Sequence, residues 1–303
     1  MLKDRWGRPL LSLRVTLTHK CNYRCIYCHM EGEEGSSAEL SAKHVRTLAL
    51  AAKELGIGKF KLTGGEPLIK EDIVEVVSSI SGVKPLDLSV TTNGYMLNEL
   101  ARDLKRAGLK RVNISLPTLD RSTYKSITGV DGLERVLEGV EEAIKVGLSP
   151  VKLNVVALKG FNEGEIWEIV DYARRRSLIV QVIELEPIGR GEGVFRRLHA
   201  DLDDFERRLK TEAVTVIHRR WTNNRPQYFL KNGAVVELVK PIHSGEFCKH
   251  CTKLRVTASG HLKPCIMRSD NLIPIMEALE RGDVRAVKKA IIAANSLREP
   301  YFS

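Results

Sequence analysis

The chain is predicted to be an α/β protein: an incomplete (βα)6, TIM-like barrel followed by a C-terminal extension. Three observations predict it. Short runs rich in Val, Ile and Leu alternate with amphipathic stretches. Glycine closes the helical stretches at Gly56, Gly108 and Gly147. The unusual polar and cysteine motifs begin where the apolar runs end, the rim on which parallel α/β folds carry their chemistry.

In order along the chain, the runs predict strands at Leu11–Leu17, Lys59–Thr63, Leu86–Thr91, Arg111–Leu116, Val151–Ala157 and Ile179–Leu185. They show little alternation, as strands covered on both faces would. Helices are predicted at Ala42–Leu55, Glu71–Ile80, Asn98–Ala107, Leu133–Val146 and Glu163–Arg175. In the first of these Leu48, Ala51, Ala52 and Leu55 recur at helical spacing. After about residue 200 the rhythm changes. A helix at Leu202–Thr211 is followed by β-like runs at Val214–Ile217, Tyr228–Leu230 and Val235–Val239, then by helices at Ile275–Arg281 and Val284–Ala294. The chain is therefore divided into a barrel, 1–220, and an extension, 221–303.

Composition narrows the class. Of 303 residues, 43% are hydrophobic and 28% charged, enough for a packed core and too ordered a balance for a disordered chain. There are 48 Lys and Arg against 38 Asp and Glu, a net charge of +10 that suits a polyanionic partner. Nothing resembles a signal peptide, and no apolar run approaches the roughly eighteen residues of a membrane span. A soluble cytoplasmic protein with no membrane partner is expected.

All six cysteines fall into two triads: Cys21, Cys25, Cys28 and Cys248, Cys251, Cys265. A disulfide framework is disfavoured by chain length and by the lack of a secretion signal. Ligation is the better reading. Zinc would require a fourth ligand, supplied by His19 or His29 for the first triad and by His243, His250 or His261 for the second. An iron–sulfur cluster held by three thiolates would instead leave one iron open to a ligand.

The segment from Thr18 to Cys28, with Cys-x3-Cys-x2-Cys spacing, resembles the signature loop of radical S-adenosylmethionine enzymes. Gly64-Gly65-Glu66-Pro67 after the second strand resembles their Gly-Gly-Glu-Pro motif, and Tyr27 and Ser115 match their adenine-side and ribose-side positions. The resemblance implies a [4Fe-4S] cluster on Cys21, Cys25 and Cys28, with Tyr27, Gly64, Gly65, Glu66 and Ser115 around S-adenosylmethionine. Phe247–Thr257, with Cys248 and Cys251, and Gly260–Cys265 then resemble one family, the GTP 3′,8-cyclases of molybdenum cofactor biosynthesis.

That resemblance implies a second [4Fe-4S] cluster on Cys248, Cys251 and Cys265, and GTP as substrate. GTP would be held by Arg14, Lys61, Thr91, Lys152, Lys253, Leu254 and Arg255. The product would be 3′,8-cyclo-7,8-dihydro-GTP. A low-potential electron donor and hand-over to the cyclic pyranopterin monophosphate synthase are implied partners, and a homodimer is compatible. No residue is singled out as a general acid or base, since the radical would come from cluster-bound S-adenosylmethionine. Arg14 and Lys152, each flanked by apolar residues on a strand, need an anion beside them, and a triphosphate is the expected one. The chain departs from much of the family in carrying lysine at 61 and 253, Glu186 where longer members carry methionine, and no paired glycines at its end.

Two rivals remain. One is another two-cluster radical enzyme, such as a peptide maturase, though these usually carry more C-terminal cysteines. The other is a zinc-stabilised nucleic-acid binder using Arg174–Arg176, Arg207-Arg208 and Arg219-Arg220. Only 6% of residues are aromatic and no recognition motif accompanies the basic clusters, so no nucleic-acid partner is expected.

Overall fold

Six predicted strands form at the expected places in the computed structural model, which describes residues 1–33 and 35–302, so Glu34 and Ser303 lie outside the described residues. They are β1 Ser12–Thr16, β2 Lys59–Thr63, β3 Asp87–Thr92, β4 Arg111–Ser115, β5 Val151–Val156 and β6 Ile179–Ile183. All six run parallel, each beside the next. Helices connect them: α1 Ala42–Glu54, α2 Ile73–Ser81, α3 Leu97–Arg106, α4 Arg121–Thr128, α5 Leu133–Lys145 and α6 Ile166–Arg174. Gly56, Gly108 and Gly147 all take positive φ, the conformation that ends a helix at low cost.

The remainder does not stand apart from this sheet. After α7 (Arg190–Leu198) and α8 (Asp203–Glu212) come β7 Ala213–Arg219, β8 Arg225–Leu230 and β9 Val235–Val239. The short α9 (Gly245–Lys249) then leads to β10 Lys253–Val256, β11 His261–Lys263 and β12 Ile273–Pro274. Helices α10 (Met276–Arg281) and α11 (Val284–Ser296) follow. The strand order is β12-β11-β10-β1-β2-β3-β4-β5-β6-β9-β8-β7 in one twelve-stranded sheet. Strand β10 joins β1 and β9 joins β6, both parallel, so the C-terminal segment extends the central sheet at both edges. Residues 220 and 221 lie in the turn of the β7–β8 hairpin.

One expectation needs correcting. The strands alternate, apart from the apolar end of β5 and the apolar ends of β6. Leu13, Val15, Phe60, Leu62, Leu88, Val90, Val112, Ile114, Leu153, Val155, Val180 and Val182 are all buried, none more than 2% exposed. They lie on one face and pack against the helices, whose own apolar residues, such as Ile73, Val76, Val77 and Ile80 of α2, recur at helical spacing. The intervening residues, polar except for Val156 of β5 and Ile179 and Ile183 of β6, share the other face. Cross-strand register sets Arg255, Arg14, Lys61, Ser89 and Arg111 side by side across five strands. A second row, two residues further along, holds Thr91, Asn113 and Lys152. Asn154, Gln181 and Glu237 form a third. One side of the sheet is therefore core and the other is a charged recess.

Candidate active site

The first cysteine triad follows β1 and rests on backbone. Gly64 and Gly65 leave β2 directly beneath it. A Cβ on Gly65 would stand 2.2 Å from the Lys20 carbonyl oxygen, and one on Gly64 would stand 2.4 Å from that of Thr18. Instead the Gly65 N–H donates to the Thr18 carbonyl at 2.7 Å and the Glu66 N–H to the Lys20 carbonyl at 2.8 Å. The glycines thus let strand-end backbone meet the cysteine loop, a reason for the motif that needs no ligand.

Glu66 is buried, and its carboxylate accepts hydrogen bonds from Thr92 Oγ1 at 2.7 Å, from the Asn93 N–H at 2.6 Å and from the Leu68 N–H at 2.9 Å. Burial outweighs these donors and pushes its pKa up to about 7. Asn93 reaches on to Asn22 at 2.8 Å, beside Cys21. Tyr27 packs with Ile127, Leu158 and Leu185 in a separate apolar cluster. Helix α7, which the sequence reading missed, begins against the triad: the Arg190 N–H donates to the Cys28 carbonyl at 2.9 Å. Ser115 ends β4, partly exposed.

The recess carries more cations than the sequence reading named. Burial first, and then the like charges of Arg14, Arg111, Arg225 and Lys253, depress the Lys61 pKa well below the usual lysine value. The Thr91 hydroxyl is buried without a hydrogen bond, and so is Arg14 Nε. These groups suit a bound polyanion with polar atoms to place.

Arg14 and Lys152 have anions of the chain beside them, however. This corrects the expectation that a triphosphate alone would supply them. Lys152 Nζ donates to Glu237 Oε2 at 2.5 Å, and Glu237 also takes Arg219 at 2.6 Å and Arg225 at 3.1 Å. Arg14 Nε stands 3.4 Å from Glu31 Oε2. Glu31, Glu237, Arg111 and Arg225 were not singled out from sequence; the alternation of β4, β8 and β9 was the signal that could have found all but Glu31. Leu254 lies on the opposite face from Arg255, fully buried in the core.

The second triad is held by buried arginines from both ends of the chain. Arg8 Nη1 donates to the Cys248 carbonyl at 2.9 Å, and Arg298 Nη2 to that of Cys251 at 2.5 Å. Asp4 lies between them, 2.7 Å from Arg8 Nε and 3.7 Å from Arg298 Nη1. Burial would raise the Cys251 thiol, but the charges of Lys253 and Arg298 prevail and hold it below its ordinary value. Lys253 itself, depressed by burial to about 7, donates to Asn223 Oδ1 at 2.6 Å. The triad and the recess adjoin, because Lys253 and Arg255 follow Cys251 directly along β10.

Models of two families match the chain: Radical SAM superfamily over residues 15–173, and Molybdenum Cofactor Synthesis C over 178–303. A protein of Thermococcus kodakarensis named Probable GTP 3′,8-cyclase is 46% identical, with 100% of both chains covered. One of the same name from Methanothermobacter thermautotrophicus is 41% identical over 100% of this chain and 99% of its own. The chain belongs to the radical S-adenosylmethionine GTP 3′,8-cyclase family. Among solved structures, Streptococcus suis SuiB bound to its precursor peptide SuiA has a TM-score of 0.67 at 19% identity, covering 95% of this chain and 67% of that one. The native anSMEcpe structure with bound AdoMet has 0.60 at 16%, covering 91% and 82%. At that identity the likeness is one of fold alone.

Membership in this cyclase family brings a [4Fe-4S] cluster with S-adenosylmethionine, and the second cluster typical of the family. The donor sets fit. The histidines that zinc would recruit are engaged elsewhere: His19 with Glu33 at 3.0 Å, His29 with the Glu31 N–H at 2.9 Å, His250 with the Glu246 carbonyl at 2.9 Å, and His261 with Ser259 at 3.2 Å. His243 packs against Phe302, ring centres 5.4 Å apart and planes tilted by 59°. Among the described residues, no three Cys, His, Asp or Glu side chains converge as they would around a single ion. The arginine clusters of the nucleic-acid alternative are also engaged. Arg174 and Arg175 pair with Asp171, Arg176 pairs with Glu141, Arg207 with Asp204 and Arg219 with Glu237, while Arg208 and Arg220 stack on Trp167 and Trp221. No helix is long and apolar enough to cross a membrane.

Proposed function

We propose that this chain converts GTP to 3′,8-cyclo-7,8-dihydro-GTP, the first step of molybdenum cofactor biosynthesis. The observation that carries the reading is the row Arg255–Arg14–Lys61, which spans three paired strands between the two cysteine triads. When bound, the first cluster and S-adenosylmethionine would supply a radical able to take hydrogen from ribose C3′; closing the C3′–C8 bond leaves one unpaired electron on the purine, which an electron from the low-potential donor and a proton would quench to the 7,8-dihydro product. The chain's own part is placement. Cys21, Cys25 and Cys28 present one cluster on the rim, while Gly64, Gly65, Glu66, Tyr27 and Ser115 border the cosubstrate. Arg14, Lys61, Arg255, Lys253 and Thr91 meet the triphosphate and ribose, with Arg111 and Arg225 adding charge behind them. Cys248, Cys251 and Cys265 hold the second cluster where the purine lies. Because Lys152 is shared with Glu237, it acts on the nucleotide through that network.

An electron donor of low potential and transfer of the product to the cyclic pyranopterin monophosphate synthase belong to this proposal. The barrel curvature, the division at 220 and homodimer formation belong to it too. The test is anaerobic incubation of the reconstituted protein with GTP, S-adenosylmethionine and a strong reductant. Mass analysis should find the cyclised nucleotide and 5′-deoxyadenosine in equal amounts; 5′-deoxyadenosine without nucleotide product, at saturating GTP, would refute the substrate.

A further inference from the structure

Glu31 is absent from both cysteine motifs, yet it touches both halves of the site. It lies three residues after Cys28, in a short turn where its φ is 54°, a left-handed backbone that glutamate adopts only when its surroundings demand it. The side chain is 2% exposed. Oε1 accepts from Thr63 Oγ1 at 2.8 Å, at the end of β2. Oε2 accepts from Arg255 Nη1 at 2.5 Å and faces Arg14 Nε at 3.4 Å. The neighbouring Gly32 carbonyl accepts from Lys263, two residues before Cys265. One turn therefore ties the loop of the first triad to β1, β2, β10 and β11.

Its chemistry is that of a counter-charge. Arg14 and Arg255 are register partners and repel each other, as the depressed pKa of Arg14, due first to burial and then in part to Arg255, reflects. A carboxylate between them neutralises one unit of charge and fixes both guanidinium groups. The same carboxylate opposes a triphosphate entering the recess. We infer that Glu31 is a positioning residue that sacrifices nucleotide affinity for orientation, holding Arg14 and Arg255 in one geometry and registering the nucleotide against the first triad. The inference rests on the GTP reading above.

The test compares anaerobically reconstituted wild-type, Glu31→Gln and Thr63→Val proteins. GTP binding is measured by equilibrium dialysis without reductant, and the ratio of cyclised nucleotide to 5′-deoxyadenosine is measured with it. Glu31→Gln removes the opposing charge, so it should bind GTP roughly fivefold more tightly or better, while its ratio falls well below one. Thr63→Val keeps the charge but frees Oε1, so its affinity should stay within about twofold while its ratio falls. Unchanged or weaker GTP binding by a normally melting Glu31→Gln protein overturns the inference. If that variant does not fold, an unaltered ratio in Thr63→Val overturns it instead. Wild-type protein that binds no GTP would defeat the substrate reading itself, a result visible before either variant is considered.

Discussion

Cys25 and Cys28 lie in a loop seated on glycine backbone, and burial pushes the Cys25 thiol up to about 12 and that of Cys28 upward as well. Cys251, more deeply enclosed, is held below its ordinary value because Lys253 and Arg298 stand beside it. Cys265 shows that the contrast is local, since burial raises it despite nearby Arg255. The first triad is shaped by close backbone packing and gains little from its surroundings on losing protons, so the metal must drive deprotonation. In the second, buried cations recruited from both chain ends favour the thiolate of Cys251 before any metal arrives. Each triad offers three thiolates, which makes the two look equivalent as donor sets. Their environments separate them, one seated on the rim with only Cys21 exposed and one adjoining the charged recess.

The sharpest way to break this comparison is to remove one cysteine from each. Cys25→Ala should abolish 5′-deoxyadenosine formation. Cys265→Ala should keep uncoupled cleavage of S-adenosylmethionine but lose cyclised product about a hundredfold or more, since misplacement by ~1 Å has that cost. Equal loss of both products from both variants would erase the proposed division of labour.

Arg298→Met probes the clasp. It leaves the Cys251 carbonyl without its charged donor, a loss of about 1.5–3 kcal/mol in stability. Melting temperature and iron content should both fall, iron toward half, while 5′-deoxyadenosine formation persists. Intact iron content would show that the clasp does not serve the second triad.

Charge in the recess gives the next effect. Lys61→Met should weaken GTP binding roughly tenfold or more, because its charged neighbours are cations and the substrate is its anion. Lys152→Met should weaken it less, its charge being engaged by Glu237. Titration of both variants with GTP checks the order, and the reverse order would mean that Glu237 releases Lys152 on binding.

The smallest effect comes from Glu66 under the first triad. Its pKa is raised to about 7, so between the ordinary carboxylate value and about 7 the folded chain keeps a proton that the unfolded chain has lost. Stability should therefore fall as pH rises through that window, by about 1 kcal/mol from about pH 6 to pH 7. Denaturant titrations across the window should show this slope in wild type and a flatter one in Glu66→Gln.

Much of the site was legible because local rules dictate it. Six parallel strands, their helices and the glycines at 56, 108 and 147 follow from apolar runs and from backbone freedom that other residues lack. Helix α4 was legible too, with Asp120 capping its start and Gly129 its end, but it went unread. The alternation in Arg14, Lys61, Asn113, Lys152 and Gln181 was also present. It was obscured because each strand shows only two or three periods of it.

By itself the sequence determined the order of the six parallel strands and most of the helices between them, both triads and the family, since spacing and backbone propensity are properties of neighbouring residues. Only the tertiary structure decided that β9 and β10 complete the central sheet from opposite edges and that Glu237 answers Lys152, 85 residues away. It also brought Arg8 and Arg298 together behind Cys248 and Cys251. Buried charges need partners wherever the chain can bring them, and strand register, which no local pattern encodes, chooses which partners meet.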